Sequence, residues 1–589
     1  MSLKRAANTT SGKDIRKAIC NFLCGRLENR HVIFFFIYFA AISILELAAY
    51  AGAGEAVTIL ASRIWLAGGV ICAAALLFMF VCAVKTDLLQ RNILSLAGLA
   101  VLLFYLFWVC GKPAYTDINP DATQQAAAGL SSFLTKDLGY TAKAFLGYPN
   151  RQYLLVALPA LFFGRSIVTL QLGFAIPFVL GLLSMYSGLR LWLYKKGLDG
   201  SYAILGIYAI FAFRYVTEYY INFEQSILPI SLTMILIGLF LRFLCSPDAV
   251  GIFSIAWIGC LCSNSYTPVL ASLGLLLVSL ALLAISLNAI TYNAKNRRLP
   301  FSVENKRQSA IILILADINM ALFFFATLLG DRSDRVNQFR EDIKYVSLIK
   351  TSIYSFLTDK NAVFFGFMGI LVLIYLFAAL SFQLKLHDFL ISLWVLGVFV
   401  ATNLMEGYTA YAEAWVMQRA LLVIPVLITG MLLTCCNFVD KHKIIMKKGI
   451  LVVMLVALAF LGRYNFMQKN QSFIYFNYVQ PMKYMLEDLE TTTKLYGISH
   501  RDTFNFIIYT DSVYMKNPGD YLQFLYPEAA IYVGTFGEFP EGVDLSVPTI
   551  IYGDRNMADS VPASVVQYFT YKNKRYEETG FWYRACILP

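Results

Sequence analysis

Long apolar runs recur throughout this 589-residue chain, and they constrain its fold more than any other feature. Many of them approach the roughly 20 residues that an α-helix needs to cross a bilayer. Hydrophobic residues make up 58% of the chain and charged residues only 14%, which is far more apolar than a soluble domain. Since lipid offers no partner to an unpaired backbone polar group, the sequence predicts a polytopic α-helical membrane protein.

Positive charges in the connectors predict how the runs are oriented. Residues 1–31 are basic, which indicates a cytoplasmic N-terminus, whereas the connectors 217–223, 264–265 and 405–415 hold no Lys or Arg. We expect a multi-pass protein of the inner (cytoplasmic) membrane with an extracytoplasmic C-terminus and no cleaved signal peptide. The thirteen predicted spans are 32–51, 64–84, 93–110, 166–194, 201–216, 224–244, 249–263, 266–289, 309–330, 362–382, 388–404, 416–438 and 450–467.

These spans divide the chain into a basic N-terminus (1–31), a transmembrane domain (32–467) with an outer loop at 111–165, and a C-terminal region (468–589). The short apolar run 152–164 predicts a helix lying at the outer interface. The C-terminal region has a helical stretch at 480–496 and four β-rich runs separated by turn residues, which predicts a small extracytoplasmic α/β domain. The β-rich runs are Phe504–Tyr509, Ala530–Val533, Thr549–Tyr552 and Val566–Tyr571.

The polar loop Tyr115–Gly129 follows the third span and carries two carboxylates, Asp117 and Asp121. One interpretation is local, with Asn119 as an N-cap, Pro120 as the first helical residue and Asp121 interacting with the helix dipole. The other is catalytic, because a general base at the outer surface would meet a substrate carried by a lipid. The spacing alone leaves both interpretations open.

Four further segments extend this pattern and carry a family resemblance. With the acidic residue before an alanine-rich helix, they resemble GT-C membrane glycosyltransferases, in particular the aminoarabinose transferase and protein O-mannosyltransferase branch. That branch has an Asp-Glu-type pair where this chain has Pro120-Asp121-Ala122, so Asp117 is the candidate for the second acid. The segments are Gly147-Tyr-Pro-Asn-Arg-Gln-Tyr-Leu154, Leu161-Phe-Phe-Gly-Arg-Ser166, Phe223-Glu-Gln-Ser-Ile-Leu228 and Gln418-Arg-Ala-Leu-Leu-Val-Ile-Pro425.

The resemblance implies an inverting transfer of a sugar from a polyprenyl-phosphate donor to a glycan, lipid or protein acceptor. Asp121, with Asp117 as second choice, would deprotonate the acceptor hydroxyl, while cations stabilise the leaving phosphate. We expect no cofactor and no metal motif, although a divalent cation stays open. The net charge of +11 lies mostly in connectors, so we expect no nucleic-acid partner. The expected substrate-binding residues are Tyr148, Arg151, Arg165, Glu224, Arg340 and Arg419.

Several of these residues also have a structural interpretation. Arg419 fits a side chain that snorkels to the interface, and the mixed charges of 331–344, which include Arg340, fit a salt-bridged surface. We expect Tyr219 and Tyr220 to belong to an interfacial aromatic belt. A transporter or flippase of a lipid-linked or amphiphilic substrate is the alternative function, and a scaffold whose outer domain binds a partner is a third. A transporter would need polar and charged residues through the bundle centre, whereas the predicted spans are nearly charge-free apart from Glu46 and Asp317.

Overall fold

The chain is mostly helical over the part that its computed structural model describes, and a five-stranded sheet lies near the C-terminus. The described residues are 27–50, 54–110, 153–213, 216, 220, 227–245, 248–263, 279–281, 283, 307–319, 390, 393–394, 423–442, 448–469, 489–499, 502–509, 525–526, 528–534, 540–554, 569–572 and 581–587. The helices are α1 (Asn29–Tyr50), α2 (Glu55–Leu89), α3 (Ile93–Cys110), α4 (Tyr153–Phe163), α5 (Ile167–Lys196), α6 (Ser201–Phe211), α7 (Ile227–Cys245), α8 (Ala249–Ser263), α9 (described over 307–319), α10 (Val423–His442), α11 (Lys448–Lys469) and α12 (described over 489–495).

The helical prediction is confirmed, while the number of spans stays a prediction. Two stretches among the described residues, Ile59–Leu89 of α2 and Val168–Lys196 of α5, are long and apolar enough to cross a membrane by length and composition. α3 and α8 have the predicted bounds, and α4 is the predicted short helix before α5. α2 begins at Glu55, before the predicted start at residue 64. The prediction followed the apolar run, and the first turns of the helix, which include Arg63, are less apolar than that run.

Contacts between helices show their relative directions. Along α5 and α7, Ser184 donates a hydrogen bond to the Ile235 carbonyl at 3.1 Å, and Gly188 lies against Gly238 further on, so these two helices run parallel. A Cβ at Gly188 would collide with the backbone of Gly238, and small residues are what permit such close approach between apolar helices. The α5–α7 contact is the most extensive one between described helices and forms the centre of the bundle.

α3 and α6 also run parallel to each other, in the direction opposite to α5. At one end Ser201 donates to Asn92 at 2.9 Å, and further along Tyr208 donates to the Gly98 carbonyl at 2.8 Å. The turn 197–200 reverses the chain between α5 and α6. The bundle therefore has two ends, which we name the Leu89 end, where α2 stops and α3 starts, and the Cys110 end, where α3 stops and α5 and α7 start.

The C-terminal sheet has the strand order β2-β1-β3-β5-β4. β1, β2 and β3 are parallel, β5 pairs antiparallel with β3, and β4 pairs antiparallel with β5. Each of the four β-rich runs predicted from the sequence overlaps a strand, whereas β5 was not predicted. The strands are β1 (Asn505–Tyr509), β2 (Ala530–Gly534), β3 (Thr549–Asp554), β4 (Phe569–Lys572) and β5 (Phe581–Ile587).

Candidate functional site at the Cys110 end

The Cys110 end brings together the helix termini that flank most of the predicted site residues. Asp117 and Asp121 follow the end of α3, and Glu224 precedes α7 by three residues. Arg151 precedes the start of α4, which lies farther along α5, since Val156 packs on Gly173. Arg419 precedes α10 by four residues, and α10 runs with α5, since Thr429 of α10 meets Met185 of α5 and Leu432 of α10 meets Gly206 of α6. The end of α3 and the starts of α5, α7 and α10 are thus at one end of the bundle, while the four site residues that adjoin them in sequence are outside the described part of the chain.

Only Arg165 among the eight predicted site residues falls within the described part of the chain. The structural prediction for the others is therefore untested, including the choice between capping and catalysis at Asp121. The residues outside the described part are Asp117, Asp121, Tyr148, Arg151, Glu224, Arg340 and Arg419.

Arg165 occupies a tight turn between α4 and α5. Gly164 before it has φ 83°, a left-handed conformation that favours glycine. Ser166 after it caps α5, because its hydroxyl accepts from the Thr169 N–H at 3.1 Å while Thr169 Oγ1 accepts from the Ser166 N–H at 2.9 Å. α4 then folds back along α5, where a Cβ on Gly173 would collide with the Val156 carbonyl.

The electrostatics of this turn favour a bound anion. Arg165 is half-buried and directly precedes Ser166, the N-cap of α5, and backbone N–H groups at a helix start attract phosphate or carboxylate. Burial lowers the pKa of Arg165, whereas the carboxylate of Glu528 raises it. Glu528 lies just before β2, so a carboxylate of the C-terminal region partly compensates the charge of Arg165.

Apolar side chains surround the turn on its exposed side. Phe162 is 78% exposed and Phe163 is 75% exposed at the end of α4. An arginine next to two exposed phenylalanines combines a cationic group with an apolar surface, as an amphiphilic anion would require.

Tyr220 differs from its predicted role at the interface. Its side chain is 1% exposed, its hydroxyl donates to the Leu106 carbonyl at 2.9 Å, and its ring centroid lies 4.8 Å from that of Phe178. The aromatic-belt prediction is thus wrong for Tyr220, because the residue packs between α3 and α5 rather than facing outwards. It holds the end of α3, from which the acidic loop begins.

A second polar cluster, at the Leu89 end, was missed by the sequence reasoning. Arg190 of α5 pairs with Asp87 of α2, and both side chains are fully buried. Asp87 also accepts from the Tyr186 hydroxyl and, at 3.1 Å, from the Asn92 amide, while Gln90 accepts from Arg190. The pair adds charge to the bundle beyond Glu46 and Asp317, and Asp87 lies just past the predicted span 64–84. An arginine inside the predicted span 166–194 was the available signal.

Asp317 of α9 is the other buried carboxyl group in the described bundle, and it is 6% exposed. Neither of its oxygens has a hydrogen-bond partner among the described residues. The described residues contain no group of three or more His, Cys, Asp or Glu side chains that could hold a metal ion.

No protein-family model matches the sequence, and no protein of curated function is significantly similar to it.

Proposed function

We propose that this protein is a membrane glycosyltransferase that moves a sugar from a polyprenyl-phosphate donor to an acceptor at the Cys110 end of the bundle. The α4–α5 turn is the observation that carries the proposal, because Arg165 there combines a cation, a helix start and exposed apolar side chains. A polyprenyl phosphate is an anion attached to an apolar chain. Its phosphate would bind Arg165 and the helix start, and its apolar chain would contact the exposed phenylalanines.

Exposed apolar faces on the outer helices support a membrane location. Side chains of α1, α2, α3 and α11 that would be buried in a soluble domain are solvent-accessible in the isolated chain. Such a surface is stable when lipid covers it. Examples with more than half of the side chain exposed are Ile33, Val70, Phe78, Phe104, Val453 and Phe460.

The proposed orientation puts the Cys110 end outside the cytoplasm. The Leu89 end carries the basic connectors, among them Lys195 and Lys196 at the end of α5 and Arg242 near the end of α7. Positive residues favour the cytoplasmic side of a bilayer. With the Cys110 end outside the cytoplasm, the sugar of the donor is transferred on that side of the membrane. The C-terminal sheet would lie on the same side.

The proposed reaction needs one base and one cationic site. Asp121, or Asp117, removes the proton from an acceptor hydroxyl, whose oxygen attacks the anomeric carbon of the donor. The bond from that carbon to the phosphate oxygen breaks with inversion, and the electron pair leaves with the polyprenyl phosphate. Arg165 stabilises the negative charge that develops on this phosphate.

A transfer assay with the full-length protein in proteoliposomes tests this proposal. The donors are radiolabelled polyprenyl-phosphate sugars, and the measurement is the release of free polyprenyl phosphate in the presence of a membrane extract as acceptor. We expect Asp121→Asn to slow the reaction about 100-fold or more, since a general base contributes roughly 10²–10⁴-fold. Arg165→Ala should weaken donor use as well, with partial recovery in Arg165→Lys.

Two exposed residues give matched controls. Asp544→Asn changes a carboxylate in a turn of the C-terminal region, and Arg63→Ala changes an exposed arginine of α2, so both variants should keep full activity. Full activity in both Asp121→Asn and Asp117→Asn would rule out the proposed base. Inactivity of the wild-type protein with every donor would count against a transferase.

Transport of a lipid-linked substrate is the second candidate, and the buried charges of Arg190, Asp87 and Asp317 favour it. Charged residues inside a bundle often line a pathway for ions or substrates. A fluorescent polyprenyl phosphate in the same proteoliposomes separates the two functions, because a transporter moves the lipid between leaflets without releasing sugar.

A further inference from the structure

Asp317 is buried inside the bundle, beside the middle of α1 and near the last turn of α8. Near the start of α9, Gln308 donates to Asn29 of α1 at 2.7 Å, and Asp317 is nine residues further on. At 1.5 Å per residue, the carboxyl group is about 13 Å from that pair along the helix axis. Such a depth corresponds to roughly the middle of a hydrocarbon core about 30 Å thick.

The Asn319 amide of α9 has hydrogen-bond partners, whereas the Asp317 carboxyl group has none assigned among the described residues. Asn319, two residues later, donates to the Phe39 carbonyl at 2.8 Å and to the Ser43 hydroxyl. Neither oxygen of Asp317 has an assigned hydrogen bond in the described part of the chain, although the Ser279 hydroxyl lies close enough to interact with the carboxyl group. The fold therefore satisfies an amide on this helix and leaves a carboxyl group unsatisfied.

Helix geometry explains why the neighbours of α9 do not reach Asp317. Ala316 faces α8, where the Cys260 thiol contacts its carbonyl at 3.6 Å, and Asn319 faces α1. At 100° per residue, Asp317 points about 100° away from Ala316 and on the side opposite to Asn319. It thus faces the segment that holds Ser279 rather than either α1 or α8.

A carboxylate in this position would carry an uncompensated charge. Burying an ionised carboxyl group without a partner is far more costly than burying its neutral form. Within the described part of the structure, Ser43, Cys260 and Ser279 are polar residues that lie against α9 in this region, and none of the three is a cation. A bound proton removes the charge without requiring any further ligand.

We propose that Asp317 is a reversible proton-binding site inside the helical bundle, distinct from the transferase site at the Cys110 end. The ligand is a proton rather than a metal ion, since a hard cation takes six or more oxygen ligands and the described surroundings supply one carboxyl group and one hydroxyl. This site does not depend on the proposed transfer reaction.

Infrared difference spectroscopy of the full-length protein in lipid tests the site. The spectrum of Asp317→Asn is subtracted from that of the wild type at neutral pH, and a protonated carboxyl group contributes a C=O band that shifts in heavy water. We expect this band in the wild type and its loss in Asp317→Asn. It should disappear when the pH is raised and return when the pH is restored.

Asp544→Asn is the matched control, because it removes an exposed carboxyl group. Its difference spectrum should show the loss of a carboxylate band and no loss of the C=O band of a protonated carboxyl group. Loss of a carboxylate band in Asp317→Asn would overturn the proposal, and so would a C=O band that persists at every pH at which the protein stays folded. Misfolding of Asp317→Asn would also overturn it, since an amide is the closest neutral substitute for a protonated carboxyl group. An active transferase with an ionised Asp317 would leave the proposed function intact.

Discussion

Asp87 and Asp317 are both buried in the bundle, yet the fold treats them in opposite ways. Asp87 is paired with Arg190 and accepts further hydrogen bonds from Tyr186 and Asn92. Asp317 has no hydrogen-bond partner among the described residues. The difference teaches that burial alone does not determine the charge of a carboxyl group, because partners decide whether the ionised form is tolerated.

The surroundings of the two residues account for this difference. Asp87 lies in the last turn of α2, where the connector to α3 supplies Gln90 and Asn92 and where α5 ends nearby. Arg190 packs so closely on Gly200 that a Cβ there would collide with its guanidinium. Asp317 lies within a helix whose own backbone bonds are complete, so partners can come only from other helices.

The comparison predicts the largest effect at Asp87. Asp87→Ala leaves the buried Arg190 charge without compensation, and we expect the free energy of unfolding to fall by about 3–5 kcal/mol. Denaturant titration of the full-length protein in detergent measures this change. Asp199→Ala is the control at the same end, where an exposed carboxylate accepts from the Ser201 N–H at 2.9 Å, and it should cost about 1 kcal/mol. Equal costs for both variants would contradict the distinction.

A much smaller effect is expected when Asp317 is changed. Asp317→Asn removes no hydrogen bond or ion pair that the described residues form, so the free energy of unfolding should change by less than about 1 kcal/mol. The same denaturant titration measures it, side by side with Asp87→Asn. A loss of unfolding free energy as large as that in Asp87→Asn would mean that Asp317 is ionised and paired. The two residues would then not differ in the way proposed.

The smallest effect on stability is expected at Asp544, which accepts hydrogen bonds but is exposed to solvent. Hydrogen bonds from the Ser546 hydroxyl and its N–H, the latter at 2.9 Å, hold the pKa of Asp544 below its usual value. A lowered pKa contributes stability above the unfolded value of about 3.9, and this contribution is lost as the pH falls through the folded value. Acidification below about pH 4 should therefore loosen residues 540–554 slightly.

Hydrogen exchange of the full-length protein over that segment measures the loosening. Asp544→Asn should show less of this dependence on acid than the wild type, because its side chain does not titrate. An identical pH dependence in both proteins would show that another carboxyl group is responsible.

Local patterns predicted much of the secondary structure. The bounds of α3 and α8, the short α4 and the core of β1 follow from runs of apolar residues with clear breaks, because such signals lie within the segment itself. Strand β5 escaped prediction although it contains Phe581 and Trp582. Its place depends on pairing with β3 and β4, which lie elsewhere in the chain.

Within the candidate site, the sequence indicated Arg165 but neither its capped turn nor its neighbour Glu528. These two residues are distant along the chain, and their approach depends on how the sheet lies against the bundle. Tyr220 was assigned to the wrong surface for the same reason, since an aromatic residue near a helix end has the same sequence signal whether it faces lipid or protein.

By itself, the sequence determined that the chain forms many apolar helices followed by a β-rich region, because hydrophobicity and turn residues act locally. Only the tertiary structure decided which buried charges are paired. Arg190 and Asp87 are separated by 103 positions and meet through helix packing, whereas Asp317 meets no such partner among the described residues. Electrostatic energy depends on distance in space, and spacing along the chain does not determine that distance.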